Sequence, residues 1–245
     1  MGTLDRRGKG KDATHDRPAL ERAAEEPTDD GMLSRRAIKV VDTVLDVGID
    51  GKGPFASASR VADTALRKSG GDVEKAIDHI VRTHTVAAGS EGFLTGLGGF
   101  VTLPVALPAN VIAFYAAATR MTAAIARLRG HDIDREPIRA AVLLTLVGAD
   151  AEDLLRKAHL PTPPGGRFVN LAAQRLPGPV EMVVKKGVYF RMVAGTTKTV
   201  LARLGRGVPL AGGVIGAGVD IVLLRRIASD ARREFPPATP QIQNG

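Results

Sequence analysis

The run GFLTGLGGFVTLPVALPANVIAFY, Gly92–Tyr115, contains no charge, four glycines and two prolines. The uncharged stretch continues to Thr119, giving 28 residues from Gly92. A phosphate cradle, a membrane insert and the packed centre of a helical protein all use such chemistry. Context separates them. A dinucleotide cradle needs a strand before its glycines and a helix after them, within a βαβ unit. No alternation long enough for a strand precedes Gly96, Gly98 and Gly99. About 20 helical residues cross a hydrocarbon core, so length alone permits a span. Pro104, Pro108 and Gly98-Gly99 interrupt it, and Thr95, Thr102 and Asn110 add polarity. Broken backbone enters a bilayer only where protein covers it.

Beyond Pro108 the pattern predicts a helix from about Ala109 to Arg129. Pro108 suits its first turn and Gly130 its stop. The first half is apolar all round, which demands complete burial in protein or lipid. Arg120 interrupts it after eleven residues, so this helix alone makes a poor span. The expectation is an all-α helical bundle with the Gly-rich segment at its centre, and the alternative is insertion of Gly92–Thr119 into a bilayer.

The rest of the chain reads as helix as well. Ala37, Val40, Val41 and Val44 form a stripe with Leu33, opposite Arg35, Lys39, Asp42 and Asp46, with Ser34 as the expected cap. Gly48–Pro54 is expected as a turn. It holds Gly-Lys without the spacing of a P-loop, and GRGVPL at Gly205–Leu210 lacks the third glycine of a dinucleotide fingerprint. No nucleotide and no cofactor are expected. A short helix should span Ser57–Lys68 and end at Gly70-Gly71. Asp72 should cap the next, whose inner stripe is Val73, Ile77, Ile80 and His84. His79 and His84 lie about 140° apart around such a helix and cannot share a metal. Further helices are expected at Pro137–Val147, Ala151–His159 and Val180–Leu204, and in the closing segment VPLAGGVIGAGVDIVLLRRIASDARREF. Residues 1–31 and 236–245 read as charged or polar disordered tails around a helical domain at 32–235.

Aromatics make up 4% of the chain and Trp is absent, so Ala, Val, Leu and Gly must carry the packing. The absence of Cys excludes disulfides and thiolate chemistry. Ten Lys/Arg against two acids between Lys185 and Arg233 give a local excess of +8, equal to the net charge of the whole chain. Lys185, Lys186, Arg191, Lys198, Arg203, Arg206, Arg225 and Arg226 are therefore the expected face for an anionic membrane or an acidic protein. These helices lack the Asn, Gln and aromatic side chains of a base-reading face, so no specific nucleic-acid partner is expected.

Two glycine pairs at helical spacing, Gly92/Gly96 and Gly212/Gly216, would open grooves for close helix approach, together with Gly98, Gly99, Gly213 and Gly218. GFLTGLGGFVTLPVALPANV, then ATRMTAAIARLRGHD and AAVLLTLVGADAEDLLRKA, resembles the core signature of the EcsC family. The closing VPLAGG…ARREF segment resembles that family's end, so the likeness covers roughly Asp72–Phe235. It implies a helical fold and a membrane-linked role, and transfers no catalytic residue; the expected location is cytoplasmic, with peripheral attachment to the inner face of the cell membrane. The competing expectation is a soluble carboxylate-based hydrolase built on His131, Asp132, Asp134 and Glu136. Those acids equally suit capping of the next helix. No GxSxG elbow and no HExxH motif occurs.

Overall fold

A computed structural model describes residues 31–89, 109–148, 151, 182, 184–190, 192–193 and 211–238. Six α-helices are defined there: α1 Gly31–Leu45, α2 Ala58–Lys68, α3 Val73–Gly89, α4 Ala109–Leu128, α5 Glu136–Val147 and α6 Ala211–Glu234. A π-helical turn, Asp46–Asp50, prolongs α1, and residues 184–190 are also helical. The described residues contain no strand, and the protein is an all-α bundle.

The bundle is organised around α4, which touches all five other helices and the π-turn. Eight of its 20 residues are alanine, so neighbouring backbones approach closely on every side. Ile112, Ala116, Ala118, Met121, Ala124 and Ile125 are all buried. The helix is long and apolar enough to cross a membrane, yet 72% of its apolar window is covered by protein. Around it, α2 buries Ala58, Ala62 and Ala65, α3 buries Ala76, Ile77 and Ile80, and α5 is buried along its length from Ala140 to Val147.

The local signals explain where the helices begin and end. Ser57 accepts from the Arg60 amide and starts α2; Asp72 accepts from the Lys75 amide and starts α3. The latter bond holds the Asp72 carboxyl below the ordinary carboxylate range. α4 stops where Gly130 turns left-handed at φ 85° and the His131 amide returns to Ala126 O. At α5 the cap position falls on Arg135, whose side chain makes no capping bond.

Three boundaries differ from the sequence reading. Ser34 is no cap, because α1 already begins at Gly31. The expected turn at Gly48 is helix: the chain continues through the π-turn, and Gly51 at φ 75° closes it with a bond from its amide to Asp46 O. Glycine at 48 serves close approach, since a Cβ there would stand 2.6 Å from Thr119 Cβ on α4. Pro236–Ala238, expected in the tail, is tied down: Pro236 O receives His131 Nε2–H at 2.7 Å, and the Ala238 amide donates to Arg129 O at 2.7 Å. The tails at 1–30 and 239–245 and most of the expected helix Ala151–His159 lie outside the described residues.

Candidate functional site

One pole of the bundle is ionic. Arg129 at the end of α4 pairs with Glu74 at the start of α3 at 2.7 Å. Arg232 near the end of α6 reaches Glu74 and Asp78. His131 packs edge-on against Phe235 at 5.5 Å between ring centres. Thus α4 and α6 both run antiparallel to α3, and their C-terminal ends meet its N-terminal end.

The opposite pole follows from the same register. There the chain leaves α3 at Gly89 and enters α4 at Ala109, and there α6 begins its uncharged run Ala211–Val219. The second Gly-rich apolar segment of the sequence opens α6 at this pole. Gly92, Gly96, Gly98, Gly99, Pro104 and Pro108 lie outside the described residues, whereas Gly212, Gly213, Gly216 and Gly218 are in the helical backbone of α6.

α3 and α6 lie side by side over α4, and their outward faces change character from pole to pole. Near the ionic pole stand Glu74, Asp78 and Asp230 with their arginines. Next come Arg82 on α3 and Arg225 and Arg226 on α6, exposed and outside every ion pair among the described residues. Beyond them are apolar side chains in water: Val86 at 66% exposure, Val222 at 65% and Leu223 at 37%. Val86 is eight residues on from Asp78 and Val222 ten back from Arg232, so the Asp78–Arg232 contact sets them at nearly one level. Exposed aliphatic side chains and unpaired arginines thus stand on neighbouring levels of the two helices.

Arg225 and Arg226 were expected to face a partner and are exposed. Lys185 and Lys186 were placed with them, and the structure corrects both: Lys185 is engaged by Asp42 of α1 at 2.7 Å, and Lys186 is 6% exposed. A count of basic residues carries no information on which side of a helix faces the core. Arg191, Lys198, Arg203 and Arg206 lie outside the described residues. Val86, Val222, Leu223 and Arg82 were missed, though a signal existed. Val86 is nine residues from the core residue Ile77, half a turn around the helix in excess of whole turns, about 180°.

The His131–Glu136 loop has structural duties. His131 is held by Pro236 and Phe235, and Asp132 accepts from the Asp134 amide at 3.2 Å. Asp132, Asp134 and Glu136 are exposed, and Glu136 sits in the first turn of α5, where its charge favours the helix dipole. Among the described residues no group of three or more His, Asp or Glu could hold a metal ion.

Arg120, which the sequence places in the middle of α4, gives the helix a polar core. Arg120 donates through Nη2 to Val47 O of the π-turn at 3.1 Å and lies 5.1 Å from the Phe55 ring centre. It has no carboxylate partner among the described residues, and its Nε is buried without an acceptor, as are the hydroxyls of Thr119 and Thr122. His84 of α3 donates from Nδ1 to Ile80 O at 2.8 Å. Burial first, and the Arg120 charge further, push its pKa below the ordinary 6.5, against the opposing pull of the Ile80 bond. Compared with family models, with curated proteins and with solved structures, the chain gives no match.

Proposed function

We propose that this EcsC-like protein is a non-enzymatic, membrane-surface protein of the cytoplasmic side that binds anionic lipid. The observation that carries the reading is the pairing of exposed Val222 and Leu223 with the unpaired Arg225 and Arg226 on one helix. An amphipathic surface with short aliphatic side chains beside cations is the chemistry of an interfacial contact, and the cations select anionic headgroups. The sequence likeness to the EcsC family points the same way.

Vesicle flotation tests it. The protein should float with vesicles containing phosphatidylglycerol at low salt and stay behind with phosphatidylcholine alone. Each arginine near such a surface contributes about 1 kcal/mol. Losing two should therefore weaken binding roughly 30-fold, and Arg225→Glu/Arg226→Glu should do at least that. Undiminished flotation of the double variant would refute the electrostatic basis. Capture of an acidic protein without any lipid binding would assign the same arginines to a protein partner instead.

A further inference from the structure

Resting on that reading, we propose that the protein meets the bilayer tilted, with the α3–α6 edge at Val86, Val222 and Leu223 entering the headgroup region and the ionic pole held away from it. The basis is the order of chemistry along one surface. From Glu74 and Asp78 through Arg82 to Val86, α3 passes from acid to cation to aliphatic. From Asp230 through Arg226 and Arg225 to Leu223 and Val222, α6 passes through the same order in the opposite chain direction. Two antiparallel helices that agree in this way create a gradient across the molecule.

The gradient has the dimensions of a membrane interface. Arg226 lies four residues from Val222, and Arg82 four from Val86, about 6 Å along each helix. Interfacial helices bury their apolar side about 5–10 Å into the boundary between headgroups and acyl chains. With the valines at that depth, the arginines stand at the phosphates. Glu74, Asp78 and Asp230, a further turn or more away, avoid the negative surface, while Asp220, two residues beyond Val222, is half-buried and already engaged.

A flat contact along the whole α3–α6 face would bring Glu74 and Asp78 against anionic lipid, which is unfavourable.

The absence of native Cys makes a direct test clean. Single cysteines at Val86, Val222, Lys75 and Ala238, all exposed positions, are labelled with an environment-sensitive nitrobenzoxadiazole dye. Each labelled full-length protein is mixed with vesicles of phosphatidylglycerol and phosphatidylcholine, with and without spin-labelled acyl chains. The expected result is a blue shift and quenching for V86C and V222C, with K75C and A238C unchanged. Equal shifts at all four positions would overturn the tilt in favour of a flat contact. Flotation with no shift at V86C or V222C would overturn the assigned edge while sparing membrane binding. No flotation of the unlabelled protein would remove the underlying reading itself.

Discussion

Arg120 brings a guanidinium into a helix otherwise packed with alanine and aliphatic side chains, and His84 stands near it on α3. Burying a cation is costly unless it is paired or hydrogen-bonded. Here a backbone carbonyl and an aromatic face take the place of a carboxylate. The π-turn makes this workable, because it aims Val47 O at the side chain. Burial first, and the neighbouring Arg120 charge further, disfavour the protonated form of His84. Because its folded pKa lies below the ordinary 6.5, the unfolded chain binds the proton more readily. The stability tied to neutral His84 is thus complete above that value and is lost as pH falls through the lowered one. Thermal melts across that range should show the parent protein losing more stability than His84→Gln. Parallel losses in the two proteins would mean His84 is not the group responsible.

At the level of elements, those helices with a polar cap and a glycine stop were legible beforehand. Asp72 with Ile77 and Ile80 defined α3, and Gly130 marked the end of α4, because caps and apolar periodicity are local signals. The π-turn was not legible. Gly48 reads as a turn residue in isolation, and only the approach of α4 explains a glycine inside a helix there. Rotation of helices was equally hidden: nothing near Lys186 in the sequence says that it turns inward while Arg226 turns out. The site inherited the same limit, since Val86 becomes meaningful only once α6 is known to lie beside α3. Gly48→Ala tests the tertiary account of the π-turn. Its Cβ would meet Thr119 Cβ and Cγ2 at 2.6 Å and Ala116 O at 2.9 Å. Alanine favours helix over glycine by about 1 kcal/mol, so a purely local account predicts stabilisation. Overpacking of this kind costs about 1–3 kcal/mol, and the denaturation midpoint should fall. A rise would show that α1 and α4 separate without penalty.

On the largest scale, the described bundle is asymmetric from pole to pole, and its long apolar helix α4 is largely enclosed. α4 has the length of a membrane span, but its surface is occupied by five helices and the π-turn, with Arg120 in its middle. Moving it into lipid would require stripping those neighbours away and exposing Arg120, Thr119 and Thr122 to hydrocarbon. The contacts that keep the bundle closed therefore oppose insertion of α4, and the bilayer contact proposed above involves instead the edge where Val86, Val222 and Leu223 face outward. Alkaline carbonate extraction distinguishes these states after flotation. Protein held by arginines and a few aliphatic side chains should leave the vesicles, because high pH and loss of compact structure remove a surface contact and leave a true span in place. Retention in the vesicle pellet would overturn the enclosed-core account, and the burial of α4 in its bundle would then describe only the state before the membrane is reached.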